Sequence, residues 1–276
     1  MTLSIIILNY KAEGLMRYCL KNIIQSNPNI GYEIIVVDNA SPTGGVVKLK
    51  EEFKNVKFIE LAKNRGFSAG NNAGIKEAQG KHVLLMNPDV VIVPGSLEKL
   101  VSYLENNSRV GIAGPKLLNA NGTIQNSCLR FPDWKMPFFR RTPLGKTTWG
   151  RKYLAHYLML DFDHNTDSLV EWLFGACLIF RKETIHTVGL LDEKYFLYIG
   201  DTDWCRRFWE KGLEVHYVAD VSLVHYHHRE SANNPGIGGI FSYVTRIHIG
   251  DFNHYKKKFK GKPNPFPEKL KLTSKH

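Results

Sequence analysis

Short apolar runs alternate with segments of helical periodicity through the first half of the chain, and this alternation restricts the folds open to it. Four runs predict buried strands, at 3–8, 34–37, 56–61 and 83–86. Helical spacing of apolar residues predicts helices around 15–24, 46–53, 68–80 and 96–104. Strands separated by helices indicate βαβ units, so we expect an α/β fold with a Rossmann-like, mostly parallel sheet flanked by helices.

Two serines are predicted helix caps, and the second half of the chain is less regular. Ser68 and Ser96 precede apolar helical patterns and are expected to cap them. Residues 128–168 are rich in aromatic and basic residues and predict loops and short elements. Beyond them we expect a strand at 172–180 and helices at 182–188, 202–211 and 240–259.

Composition places the chain among soluble globular proteins. Of 276 residues, 43% are hydrophobic and 23% charged, and no apolar stretch is long enough to cross a bilayer. The first residues lack the pattern of a signal peptide, and the four cysteines form no CxxC pair. These features favour a reducing compartment, and we expect a cytoplasmic protein.

The net charge of +11 is concentrated towards the C-terminus, in a segment rich in lysine and aromatic residues between 243 and 275. This segment has three possible interpretations. It is a solvated tail, a helix packed on the main domain, or a contact with the anionic inner face of a membrane. Motifs for nucleic-acid binding are missing from the sequence, so no nucleic-acid partner is expected.

Polar residues follow all four predicted strands, at the edge where open parallel sheets bind ligands. They are Asn9 and Tyr10, Asp38, Asn64 and Arg65, and Asn87-Pro88-Asp89. Each could be an ordinary turn, but together they predict a nucleotide-binding edge. Asp38 can accept hydrogen bonds from a base or ribose, Tyr10 can stack, and Arg65 can face phosphate. The sequence contains neither a P-loop nor a GxGxxG turn.

Two further positions are candidates for chemistry. Asp89 suits Mg²⁺ or Mn²⁺, with Asn87 as a weaker ligand, and His225 is the best metal candidate in the run 223–228. Asp201, next to a predicted helix, is either a general base or only a helix cap.

These motifs, in this order, resemble glycosyltransferase family 2, a family with the GT-A fold, over residues 3–231. The resemblance rests on 6–10, 36–41, 64–74, 84–89, 174–177 and 200–205, followed by His225 and Ser231. It implies that Leu8, Tyr10 and Asp38 hold the nucleoside, and that Asn9, Asn64, Arg65, Asn71 and Asn87 line the nucleotide pocket. Asp89 would be the metal-binding acid, His225 a further metal contact and Asp201 the catalytic base. The acceptor side would be Phe174, Gly175, Ala176 and Trp204.

The sequence departs from the family pattern at two places. The metal motif reads Asn-Pro-Asp, and Gly200 replaces one acid of the usual pair before Asp201. Asn-Pro-Asp resembles the branch of bacterial rhamnosyltransferases. The resemblance therefore implies inverting transfer of a hexose from a dTDP- or UDP-sugar, with dTDP-L-rhamnose as first candidate. The acceptor would be a glycan or lipid-linked molecule in cell-surface polysaccharide synthesis.

Other interpretations are a non-catalytic sugar-nucleotide or polysaccharide-binding protein and a nucleotidyltransferase. We expect a GT-A catalytic domain at 1–235, with a nucleotide-binding half at about 1–115 and an acceptor half at 116–235. A basic, aromatic helix and tail would follow at 236–276.

Overall fold

The computed structural model describes residues 1–42, 45–226 and 243–267. Its strands are β1 (Leu3–Asn9), β2 (Tyr32–Asp38), β3 (Lys57–Glu60), β4 (His82–Met86), β5 (Val90–Val91), β6 (Val110–Leu118), β7 (Ile124–Gln125), β8 (Cys128–Leu129), β9 (Ser168–Leu169), β10 (Trp172–Leu173), β11 (Cys177–Arg181) and β12 (Glu214–His225). Its α-helices are α1 (Glu13–Gln25), α2 (Gly45–Glu52), α3 (Gly66–Glu77), α4 (Ser96–Asn106), α5 (Met136–Arg141), α6 (Thr148–Tyr157), α7 (Ile185–Val188), α8 (Gly200–Glu210) and α9 (Tyr243–Lys258). Short 3₁₀ turns cover Pro143–Lys146 and Lys182–Thr184.

The main sheet has the strand order β3-β2-β1-β4-β11-β6-β12-β5. The first four strands in this order are parallel, whereas β11 runs antiparallel between β4 and β6. The predicted α/β fold is confirmed, and the carboxyl ends of β1 to β4 lie together at one edge.

Apolar side chains cover both faces of the sheet. Ile5 and Ile7 of β1 point into one layer with α1, α2 and α4, and Ile6 points into the other with α3, α8 and α9. This alternation explains why β1 is a continuous apolar run, because a strand buried on both faces has no polar side. No helix of the described residues is both long and apolar enough to cross a bilayer.

Three local predictions were wrong, and the differences affect the site. Helix α3 begins at Gly66, and Ser68 lies inside it, so Ser68 is not its cap. Gly66 has φ of +80°, and a Cβ there would lie 2.1 Å from the carbonyl oxygen of Phe196. Only glycine fits this approach of the loop that leads to α8. Ser96 is likewise the first residue of α4 and not its cap, which is Gly95.

The expected strand at 172–180 is divided into β10 and β11. Residues 174–176 between them form a bend beside the end of β4, where the backbone N–H of Asn87 donates to Ala176 O at 2.8 Å. Helix α8 begins at Gly200, earlier than expected, and places Asp201 in its first turn. Residues 227–242, with His227, His228 and Ser231, lie outside the described residues.

Candidate active site

A hydrogen-bonded cluster joins the ends of β1 and β2. Asn9 Nδ2 donates to Asp38 Oδ1 at 2.7 Å, and the backbone N–H of Ser41 donates to Asp38 Oδ2 at 2.9 Å. Asn9 and Asp38 are buried, while the Tyr10 ring is 43% exposed. The turn after β2 therefore holds a fixed carboxylate beside an exposed aromatic ring, as a nucleoside site requires.

The loop between β3 and α3 is tied to the same edge by Asn39. Asn39 Nδ2 donates to Asn64 Oδ1 at 2.9 Å, and Asn39 Oδ1 accepts from the backbone N–H of Arg65 at 2.8 Å. The Arg65 guanidinium pairs with Glu193 at the surface. An exposed pair of this kind is weak, so the guanidinium can exchange Glu193 for a phosphate.

Helix α3 lies close against β1 beneath this edge. A Cβ at Gly70 would lie 2.4 Å from Leu8 Cδ1, so glycine permits the close approach. Asn71 is buried and donates from Nδ2 to Phe67 O within the helix, at 3.0 Å. Leu8 and Asn71 therefore lie at the base of the edge, where the Asn71 amide supports its own helix.

The metal candidates Asp89 and His225 meet beyond the end of β4. Strand β5 pairs with the end of β12, opposing His225 to Val90, and Tyr226 N donates to Asp89 O at 2.9 Å. His225 Nε2 then lies 3.3 Å from Asp89 Oδ1. Both side chains come from the positions expected of metal ligands.

The protonation pattern around His225 suits a cation. Gln125 Nε2 donates to Asn119 Oδ1 at 3.2 Å, which turns Gln125 Oε1 towards His225 Nδ1 at 2.7 Å. An amide oxygen only accepts, so Nδ1 carries a proton, and Nε2 is the ring nitrogen that faces Asp89 and can coordinate a metal. A divalent cation between the two would satisfy both atoms.

The fit of a metal is therefore good but incomplete. Within the described ranges no group of three or more His, Cys, Asp or Glu side chains is arranged as a metal site. Asp89 and His225 supply two ligands, and Mg²⁺ or Mn²⁺ in such sites takes its other ligands from substrate phosphates and water. Asn87 is part of the same turn and lies within the nucleotide edge.

Asp201 faces the bend between β10 and β11. Its Oδ2 accepts from the backbone N–H of Gly175 at 2.9 Å, and its Oδ1 accepts from Thr202 N at 2.8 Å. The carbonyl oxygen of Ala176, the next residue after Gly175, accepts a hydrogen bond from the N–H of Asn87. The bend therefore connects Asp201 to the turn that carries Asn87 and Asp89.

The surroundings of Asp201 make its carboxylate more basic. Protein atoms displace much of its water, and this desolvation raises its pKa above the usual value, against the opposing effect of the Gly175 and Thr202 N–H groups. The Thr202 hydroxyl also donates to Oδ1, at 3.4 Å, which leaves Oδ2 with the lone pair to offer. A carboxylate with a raised pKa and such a lone pair is suited to remove a proton from a hydroxyl group.

Ile199, two residues before Asp201, has a strained backbone, and the loop that leads to it is hydrogen-bonded to α9. Ile199 has φ of +65°, an unfavourable conformation for a β-branched residue. The buried carboxylate of Asp251 in α9 accepts from the N–H groups of 196, 197 and 198, at 3.2, 3.2 and 2.8 Å. Backbone strain of this kind persists only where surrounding contacts impose it, and Asp251 supplies them here.

The expected acceptor-side residues separate into two groups. Phe174, Gly175 and Ala176 form the bend beside Asp201, and the Phe174 ring packs on Trp172 with centroids 5.4 Å apart. Trp204 is fully buried and donates from Nε1 to Gly189 O at 3.0 Å. Trp204 therefore lies in the core under α8 and does not reach the surface of the site.

A model of the family described as Glycosyl transferase family 2 matches residues 4–163, more than half of the chain. The chain therefore belongs to glycosyltransferase family 2, and the expectation from its ordered motifs is confirmed.

Rhamnosyltransferases are among its curated relatives. It is similar to the N-acetylglucosaminyl-diphospho-decaprenol L-rhamnosyltransferase of Mycobacterium tuberculosis, with 26% identity over 73% of this chain and 69% of the relative. It is also similar to the rhamnosyltransferase WbbL of Escherichia coli, with 25% identity over 89% of each chain.

Solved glycosyltransferases share the fold. GalNAc-T7 with UDP, GalNAc and Mn²⁺ matches with a TM-score of 0.65 and 16% identity, over 99% of this chain and 53% of that chain. The mannosyltransferase PcManGT of Pyrobaculum calidifontis, with GDP-Man and Mn²⁺, matches with a TM-score of 0.59 and 18% identity, over 99% and 68%. The predicted GT-A architecture is confirmed.

Sequence reasoning missed three residues that organise the site: Asn39, Gln125 and Asp251. Asn39 stands out in the sequence only as part of a motif, and its side chain ties two loops together. Gln125 and Asp251 lie in segments without a motif, and only strand pairing and helix packing bring them near His225 and Asp201.

Proposed function

We propose that this chain is an inverting, metal-dependent hexosyltransferase that moves a sugar from a nucleoside diphosphate to an acceptor hydroxyl. The observation that carries the proposal is the bend at 174–176, which connects the desolvated carboxylate of Asp201 to the Asn87-Pro88-Asp89 turn. One edge of the sheet thereby holds a nucleoside site, a cation site and a base.

In this proposal Asp201 accepts the proton of the acceptor hydroxyl. The acceptor oxygen forms a bond to the anomeric carbon as the bond from that carbon to the diphosphate breaks, and the nucleoside diphosphate leaves. Attack from the face opposite the leaving group inverts the anomeric centre. The N–H groups of Gly175 and Thr202 keep both carboxylate oxygens oriented, and Oδ2 keeps a lone pair for the proton.

The remaining residues bind and orient the donor. Asp38 and Tyr10 hold the nucleoside, and Arg65, released from Glu193, faces the diphosphate. Asp89 and His225 would hold Mg²⁺ or Mn²⁺, which when bound neutralises charge on the leaving diphosphate. Two relatives of this chain are rhamnosyltransferases, so dTDP-L-rhamnose is the first donor to test, and a glycan or lipid-linked molecule the first acceptor class.

The test is a screen of dTDP-, UDP- and GDP-sugars by thermal shift, with and without Mn²⁺, followed by an assay of nucleoside diphosphate release. We expect the largest metal-dependent shift with dTDP-L-rhamnose, loss of transfer with a chelator, and a product whose anomeric configuration by NMR is opposite to the donor's. Release of pyrophosphate would indicate a nucleotidyltransferase, and binding without turnover on any acceptor would indicate a binding protein. Retained configuration would contradict the proposed single displacement.

A further inference from the structure

The segment from 134 to 152 exposes large apolar and basic side chains together. Helices α5 and α6 and the turn Pro143–Lys146 pack into one helical cap over the acceptor half. We define the aromatic–basic surface of this cap by the apolar residues Trp134, Phe138, Leu144 and Trp149 and the basic residues Lys135, Arg140, Lys146, Arg151 and Lys152.

Tryptophan burial sets this surface apart from the rest of the chain. Of the five tryptophans in the sequence, Trp172, Trp204 and Trp209 are buried, at 8% exposure or less. Trp134 and Trp149 are 63% and 66% exposed. An exposed pair of indole rings costs solubility and is typical of residues that lie in a membrane–water interface.

Ring contacts hold both exposed tryptophans on the cap. The rings of Trp134 and Phe138 lie 6.3 Å apart, and Trp149 packs edge-on against Phe139 at 4.8 Å. Phe138 and Leu144 are 55% and 54% exposed. The apolar side chains therefore form a neighbourhood on one small helical unit.

The charge of the segment is strongly positive. Residues 127–160 contain seven lysines and arginines and a single acid, Asp133. Asp133 is occupied within the cap, because it accepts hydrogen bonds from the Tyr153 hydroxyl and from the backbone N–H of Lys135. Its charge is therefore tied to the start of α5, and the excess of exposed cations suits an anionic partner.

The aromatic–basic surface adjoins the candidate base. Tyr157, at the end of α6, is buried and hydrogen-bonds to Arg140, and it lies close enough to Asp201 for the two to interact electrostatically. A molecule held against this surface is therefore held next to the side of the site where an acceptor would enter.

We propose that the aromatic–basic surface docks the protein on an anionic phospholipid bilayer. The indole and apolar side chains enter the interface, and the surrounding lysines and arginines contact the headgroups. The docking does not depend on the proposed transfer. Its consequence, that the acceptor is lipid-linked and reaches Asp201 from the bilayer, rests on the proposed function.

The test is co-flotation of the full chain with vesicles of phosphatidylcholine, with and without phosphatidylglycerol, at low and high salt. We expect salt-sensitive binding only to the phosphatidylglycerol vesicles. K146E/R151E changes two exposed side chains and should weaken binding at least about 30-fold, since each basic residue near an anionic surface contributes about fivefold. W134S/W149S should also release the protein from vesicles. Circular dichroism and the unfolding temperature establish that each variant is folded.

The matched control is K256E/K257E, which reverses two exposed lysines of α9, the other basic surface of the chain. We expect it to keep most of the binding, and D201N, which should lose transfer, to bind like the wild type. The proposal is overturned if the wild type ignores anionic vesicles or if folded K146E/R151E binds them normally. It is also overturned if K256E/K257E loses as much vesicle binding as K146E/R151E does. The same holds if W134S/W149S binds vesicles normally and loses affinity only for soluble glycans.

Discussion

The Nε2 atom of His225 lies 3.3 Å from Asp89 Oδ1, and Gln125 Oε1 holds the opposite ring nitrogen, Nδ1, at 2.7 Å. The pairing of β12 with β5 and β6 brings the three residues together from distant parts of the sequence. The two candidate metal ligands are thus oriented by the fold itself.

Replacing Gln125 with alanine should weaken metal binding. Without the Oε1 acceptor, the His225 ring loses the bond that fixes its tautomer, and loss of such supporting contacts typically lowers metal affinity about 10–100-fold. We expect this loss for Mn²⁺ by titration calorimetry in the presence of dTDP. Q125E keeps an acceptor and should retain most of the affinity, and Q79A, at an exposed glutamine, should change nothing. Unaltered Mn²⁺ affinity in Q125A, with affinity lost in H225A, would exclude the positioning role.

Asparagine in place of Asp201 should remove turnover without removing the donor. We expect kcat to fall about 10²–10⁴-fold, the usual contribution of a general base, with nucleotide affinity unchanged. The matched variant is D203N, because Asp203 is fully buried and bonds to Tyr195, Arg207 and Lys258. D203N should lower the free energy of unfolding by roughly 2–3 kcal/mol, since the partner charges are partly exposed. Near-normal kcat in D201N would eliminate Asp201 as the base.

The raised pKa of Asp201 predicts a pH dependence of both rate and stability. The base works only when ionised, so kcat/KM should fall on the acid side at a pH above the usual aspartate pKa of about 3.9. A carboxyl group with a higher pKa in the folded chain favours folding fully below its unfolded pKa. This contribution is lost as the pH rises through its folded pKa.

The amide that D201N introduces cannot ionise, so this variant should gain stability relative to the wild type through that pH window and hold the gain above it. Urea unfolding of both proteins across a pH series measures the difference. A difference that is constant with pH would show that Asp201 titrates alike in the folded and unfolded chain.

Alanine in place of Asp251 should loosen the loop before Asp201. The N–H groups of 196, 197 and 198 lose their common acceptor, and each buried donor left unsatisfied costs about 1–3 kcal/mol. Some of these donors will find water, so we expect about 2–3 kcal/mol less stability in total, and a lower kcat at unchanged donor affinity. Amide hydrogen exchange at 196–198 should accelerate. N253A, at an exposed position of the same helix, is the control, and a normal kcat in D251A would mean that Ile199 holds its conformation unaided.

Local patterns in the sequence were sufficient to place the candidate nucleotide-binding residues at one edge of the sheet. The runs at 3–8, 34–37 and 83–86 are buried on both faces, so their period and composition identify them as strands. Parallel order then places Asn9, Asp38 and Asp89 at one edge. The parallel order of β3-β2-β1-β4 confirms this reasoning.

Long-range contacts account for what sequence reasoning did not find. No local pattern relates Gln125 to His225, because their proximity arises from the pairing of β7, β6 and β12. Asp251 lies in a helix whose basic, aromatic sequence also suited a membrane surface. Its packing is evident only from the buried Phe252 and Tyr255. Ser68 was wrongly predicted to cap α3 because a serine before an apolar helical pattern is a common N-cap. The helix in fact begins at Gly66, where the close approach of Phe196 O leaves no room for a side chain.

The contact between Asp251 and residues 196–198 has a consequence for the order of events during synthesis. A ribosome makes β1 to β4 well before α9, at about 5–20 residues per second. The segment carrying Asp201 can therefore be complete in sequence while Ile199 still lacks the contacts that hold its conformation. On the proposed function, the candidate base therefore reaches its working conformation only after α9 has been made.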